Sequence, residues 1–92
     1  MTIMILERVP RGLRGDLSRW MLEPKAGIFL GRMTARIREE LWKKAVNKSE
    51  CGAVLQAWSA PGEQGFKIRV HGELTRKIIE IEGLSLVAIE PS

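Results

Sequence analysis

The chain is poor in the residues that build most catalytic centres. Its 92 residues contain one histidine, His71, and one cysteine, Cys51. A lone thiol permits no disulfide within the sequence and suits a reducing cytoplasm, the expected location. With so few ligands there is no Cys/His cluster at metal spacing and no Ser-His-Asp set. Each of the two also lacks the partner that nucleophilic or acid–base catalysis requires. His71 is therefore expected as a polar-face strand residue, and Cys51 as a half-buried small apolar one. "GLRG" and "AGIFLG" are too glycine-poor for a nucleotide loop. No segment approaches the roughly 20 apolar residues of a membrane span. The opening "IMIL" is too short for a secretory signal, and Glu7 ends it. Repeats and low-complexity tracts are absent.

What the chain does have is positive charge, unevenly placed. Fifteen Lys and Arg stand against eleven Asp and Glu, a net +4. Residues 1–48 carry +6 and residues 49–92 carry −2. A basic amino-terminal half at a pI near 9.7 suits a polyanion partner, most often nucleic acid; mere solubility is the plain alternative. An apolar fraction of 45% with 28% charged residues describes a globular protein. A chain this short buries only about 60–65% of its unfolded surface, so self-association would help it.

Hydrophobic period divides the sequence into elements. Residues 3–8 read as a short strand. In "RGLRGDLSRWMLE", Leu13, Leu17, Trp20 and Met21 fall on one helical face, with Gly15 weakening the first turn and Pro24 as the stop. "AGIFLG" is a strand between glycines. "TARIREELWKKAVNK" is a second helix, capped by Thr34, with Ile37, Leu41 and Ala45 as its buried stripe. "GAVLQAWS" is the near-continuous apolar run of a strand covered on both faces. "FKIRVH" alternates, with Phe66, Ile68 and Val70 facing one way and Lys67, Arg69 and His71 the other. "IIEIEG" and "LSLVAIE" are further strand-like pieces. These elements imply one domain, 1–92, of the α+β class. It is a two-layer sandwich with two helices on one face of a mainly antiparallel sheet. The opposite sheet face needs a cover, and a second copy of the chain is the most economical one. A symmetric homodimer is thus expected.

Among candidate site residues, Glu7 closes the first strand just before "RVPRGLR", where Arg8, Arg11 and Arg14 fall within seven residues. One carboxylate is a weak site for a hard cation, which wants several oxygens. Two Glu7 side chains across a two-fold axis could share one Mg²⁺; otherwise Glu7 is a solvated acid pairing with Arg8 or Arg11. Arg11 and Arg14 lie at a helix start, which favours phosphate. Arg32, Arg36 and Lys43 line one side of the second helix, and Arg76 and Lys77 share a late loop. Aromatic residues do not interleave with these charges, which argues for contact with a duplex backbone over a single-strand stacking platform.

Three stretches then carry a resemblance. "ERVPRGLRGDLSRWMLEPKAGIFLG", "ARIREELW" and "GLSLVAIEP", in that order, closely resemble the second of the two universal CRISPR-associated proteins in its type I-E form. The likeness spans nearly the whole chain. It implies a ferredoxin-like fold and a symmetric homodimer that bridges dimers of the CRISPR-associated integrase in the spacer-acquisition complex. It further implies contact with the backbone of a double-stranded protospacer. By this likeness Arg11, Arg14, Arg36, Arg76 and Lys77 contact DNA. The segment 84–91 is a carboxy-terminal docking strand for the integrase, with Leu84, Leu86, Val87 and Ile89 as its apolar contacts. Scaffolding needs no cofactor. Family members are also described as metal-dependent endonucleases on RNA or duplex DNA, and Glu7 stands at the acidic position concerned, as catalytic and Mg²⁺-binding residue. Two departures occur: Gly12 replaces an expected arginine with Arg11 one place earlier, and Thr75-Arg76 replaces a double arginine with Lys77 next.

Overall fold

The fold, obtained as a computed structural model, is described for residues 1–72. Its elements are β1 (Thr2–Leu6), α1 (Arg11–Ser18), β2 (Leu22–Lys25), β3 (Ile28–Gly31), α2 (Ala35–Val46), a single 3₁₀ turn (Ser49–Cys51), β4 (Val54–Ser59) and β5 (Phe66–His71). The sheet runs β2-β3-β1-β4-β5 with every neighbouring pair antiparallel. The first four positions of that order, with a helix after β1 and another after β3, are those of a ferredoxin-like sandwich; β5 extends the sheet beyond β4. The expected α+β class stands.

β1 is central because its sequence is apolar on both sides: Met4, Ile5 and Leu6 are all buried. On one face Met4, Leu6, Phe29 and Val54 meet Leu13 and Leu17 of α1 and Leu41 and Ala45 of α2. On the other, Ile5, Leu55 and Ala57 form a second cluster with Ile3, Ile28 and Ile68 at its margin. Both helices therefore cover the same face. Eight residues with two glycines cannot hold α1 as an isolated helix. Leu13 and Leu17, both fully buried, hold it by about 1.5–3 kcal/mol of burial each. α2 starts as its sequence indicates, with Thr34 Oγ1 accepting from the Ile37 N–H at 3.3 Å.

One expectation is corrected. The helical reading of residues 11–23 placed Trp20 on the buried stripe with Met21. The helix ends at Ser18 instead, and the N–H groups of Trp20 and Met21 both turn back to the Leu17 carbonyl at 3.0 and 2.8 Å. Met21 still enters the core, but Trp20 is 46% exposed. Leu22–Lys25 then forms β2, which among the described residues pairs only with β3. Pro24 is tolerated there because an edge strand leaves one row of N–H groups unused. Gly27, at φ +82°, makes the return, and a Cβ there would sit 2.7 Å from the Leu6 carbonyl oxygen.

Candidate functional site

Glu7 follows the last residue of β1, its N–H donating to the Ala53 carbonyl at 3.0 Å. Its side chain is 15% exposed, and Oε1 lies 3.1 Å from an Arg8 Nη. Arg8 is anchored in turn, donating through Nε to the Glu50 carbonyl at 2.9 Å. Gly52, at φ +68°, leaves the space the carboxylate occupies; a Cβ there would overlap Glu7 Oε1. Among the described residues, no three His, Cys, Asp or Glu side chains gather in a way that could hold a metal. The described donors of one chain at this place, a single carboxylate already paired with arginine, do not fit a hard divalent cation.

The basic candidates occupy the helical layer. Arg11 opens α1 and is exposed. Arg14, one turn on, reaches Glu23 of β2 at 2.6 Å, and the same carboxylate accepts from the Gly27 N–H at 3.0 Å. Arg14 is thus partly engaged in holding the β2–β3 turn. Arg36, 87% exposed, is 3.4 Å from Glu40 one turn along α2. An exposed i,i+4 pair of this kind contributes only about 0.3–0.5 kcal/mol, so a phosphate can take the arginine with little loss. Lys44 Nζ, 3.8 Å from Asp16, links the two helices. Arg32 precedes α2 and is exposed, so the expected row of Arg32, Arg36 and Lys43 lies only in part on the helix. Arg76, Lys77, Leu84, Leu86, Val87 and Ile89 lie outside the described residues.

His71 ends β5 and is exposed, as its place in the sequence suggests, on the sheet face that carries the helices, opposite Val54. Cys51 is fully buried rather than half-buried, and that burial pushes its thiol pKa up.

A cluster between α2, β4 and β5 is not evident in the sequence. Arg69 places its guanidinium 4.5 Å from the Trp42 ring centroid and 5.0 Å from that of Trp58. Its Nη1 donates to Glu39 at 3.1 Å, its Nη2 to the other Glu39 oxygen, and its Nε to Gln56 at 2.9 Å. Gln56 is fully buried and returns its amide to the Arg38 carbonyl at 3.1 Å. Arg38 itself lies over Trp58, 4.3 Å from the centroid. The hydrogen bond from Arg69 holds the Glu39 carboxyl below its ordinary pKa. Aromatic and basic residues interleave here, at two arginines that the sequence reading did not single out as binding candidates. The spacing of Arg38 and Trp42, four apart on a helix, was a signal. Strand alternation could not say which face of β5 meets α2.

The sheet face away from the helices is apolar at its periphery. Strand register puts Leu22, Leu30, Ile3, Ile68 and Val70 on it, with Leu22 79% and Val70 40% exposed. Met1, Trp20, Leu22 and Leu30 line a groove of about 440 Å³ at its β2 side. Among the described residues no helix is long and apolar enough to cross a membrane. A protein-family model described as CRISPR-associated protein (Cas_Cas2CT1978) matches residues 1–86 of the chain.

Proposed function

We propose, from the premise that the chain belongs to this CRISPR-associated Cas2 family, how it serves in CRISPR adaptation. It acts as a DNA-binding scaffold subunit of the spacer-acquisition complex, of the type I-E form. Two copies associate through the apolar sheet face and present their helical layers to a protospacer duplex. Arg11, Arg14 and Arg36, with Arg76 and Lys77 beyond the described residues, contact its backbone. The segment 84–91 docks the integrase, so the dimer bridges integrase dimers while strand transfer is done elsewhere.

The observation that carries this reading is the weak local neutralisation of the helical layer. Arg11 is exposed, and among the described residues Arg36 is held only by a solvated glutamate. Residues 1–48 carry a surplus of six positive charges. Lysines and arginines in that state bind phosphates by releasing condensed counterions, without reading base sequence. Leu22 and Val70, large apolar groups left in water, support the paired state, since such a patch is covered in most stable proteins.

The rival is a Mg²⁺-dependent endonuclease acting on RNA or duplex DNA through Glu7 of both chains. Its support is the position of Glu7 at the close of β1. Against it stands the ion pair with Arg8, which a metal would have to displace.

One titration separates the two. The protein is mixed with a duplex of about 30 base pairs over a salt series, with and without Mg²⁺, beside Glu7→Ala and a triple Arg11/Arg14/Arg36→Ala variant. The scaffold reading expects binding that weakens steeply with salt, collapses in the triple variant, ignores Glu7 and leaves the duplex intact. Mg²⁺-dependent cleavage abolished by Glu7→Ala reverses the ranking.

A further inference from the structure

Arg38 is placed unlike the other arginines of the helical layer. Its guanidinium lies on the indole of Trp58, and its Nε is buried without a hydrogen-bond partner among the described residues. The carboxylate beside it, Glu39, has one oxygen 3.6 Å from that Nε. Both Glu39 oxygens, however, already accept from Arg69. Among the described residues one carboxylate thus faces two guanidinium groups, and a positive charge is left over. Lys67 adds a second. It is exposed, and it lies directly across the β4–β5 ladder from Trp58, on the same side of the sheet.

The Trp58 ring holds the Arg38 guanidinium in place, 4.3 Å from its centroid, with its side chain 19% exposed. A guanidinium carries the planar fork of donors that matches two phosphate oxygens. The buried Nε of Arg38 finds no acceptor among the described residues, so the hydrogen-bonding capacity of this guanidinium is not used up inside the fold. Neither Arg38 nor Lys67 lines the groove at Trp20 or the smaller one of about 170 Å³ beside Phe66. The pair therefore suits an extended polyanion running over the surface better than an enclosed small molecule.

We propose that Arg38 and Lys67, ordered by Trp58, form a phosphate subsite for the nucleic-acid backbone at the β4–β5 side of the helical layer. The subsite rests on the DNA-binding reading above and adds a contact separate from Arg36. Two helical positions apart, the two arginines point about 200° away from each other around α2 and cannot hold one phosphate.

The test is the same 30-base-pair duplex titration over a salt series, with Arg38→Gln, Lys67→Gln and Arg38→Lys. Each phosphate contact contributes about 0.9 to the slope of log affinity against log salt. Losing one lowers that slope by about one and the affinity about eightfold at 0.1 M salt. Both Gln variants are expected to do so, while Arg38→Lys keeps the slope and loses affinity with its fork. Lys67 is exposed, so Lys67→Gln should melt like the wild type and carries the test if Arg38 variants unfold. Unchanged affinity and slope in Lys67→Gln, with the Arg11/Arg14/Arg36 triple variant still losing binding, overturns the subsite and leaves the scaffold reading standing. A wild-type chain that binds no duplex overturns both.

Discussion

Removing Arg69 should cost far more stability than removing the charge it pairs with. In Arg69→Ala the fully buried Gln56 side chain loses the donor to its oxygen, and an unsatisfied buried acceptor costs about 1–3 kcal/mol. The contacts with Trp42 and Trp58 disappear as well, at about 0.5–1 kcal/mol each for partly exposed cation–π pairs. The total is about 2–5 kcal/mol. Glu39→Gln behaves differently, because Glu39 is 43% exposed and solvent screens much of its pairing; the amide oxygen also still accepts a hydrogen bond. That substitution should cost under about 1 kcal/mol. Thermal unfolding followed by circular dichroism, at fixed protein concentration because association shifts the midpoint, reads both. A chain of this size loses about 4–8 °C per kcal/mol, so Arg69→Ala should melt at least about 8 °C lower. The pH dependence adds a second readout. Glu39 has its carboxyl held below the ordinary 4.5 by Arg69. Its contribution is therefore complete above that value and is lost as pH falls below it toward the lowered one. Glu39→Gln should remove that part of the acid sensitivity. If Arg69→Ala costs less than about 1 kcal/mol, or Glu39→Gln costs as much as Arg69→Ala, the argument that buried Gln56 makes Arg69 indispensable is wrong.

Other outcomes are equally open to measurement. Leu22→Glu, at a side chain 79% exposed, should leave the melting of a monomer unchanged yet shift sedimentation from dimer to monomer; a dimer that persists removes the apolar sheet face as the interface. Gly52→Ala should destabilise by about 1–3 kcal/mol from positive φ alone, with a further penalty from the overlap with Glu7. Adding Glu7→Ala to that variant should restore part of the loss, and strict additivity in the double mutant would show that the carboxylate is not seated where described. Cys51, buried with its thiol pKa raised, should resist a thiol reagent in the native state and react only on unfolding. Rapid stoichiometric labelling of folded protein contradicts that burial.

Much of the fold was legible because apolar period reports burial directly. Leu13 and Leu17, four apart, were buried where a helix placed them, and Thr34 capped α2. The run from Val54 to Ala57 became a strand buried on both faces. Trp20 misled because a helical stripe and a chain turning back on itself share the same first residues. Leu22–Lys25 pairs with β3 instead, in a tight hairpin returning at Gly27, and that pairing competes with the continuation of α1. The candidate site was legible in its charges and in one of their pairings, that of Glu7 with Arg8. The partial engagement of Arg14 by Glu23 was not, because it required β2 to be brought beside α1.

The sequence by itself determined the class of the protein: a small, basic α+β domain with one acid at the close of its first strand and arginines just beyond. It also determined the family, through motifs spread over most of its length. Tertiary structure decided which charges remain available. Arg69 and Arg38 look alike on a list of basic residues, yet one is tied to Glu39 and Gln56 between two indoles, while the other keeps an Nε without a hydrogen-bond partner among the described residues. The reason is physical. Burial depends on the periodicity of a single segment, whereas the state of a charge depends on what other segments carry to within a few ångströms of it.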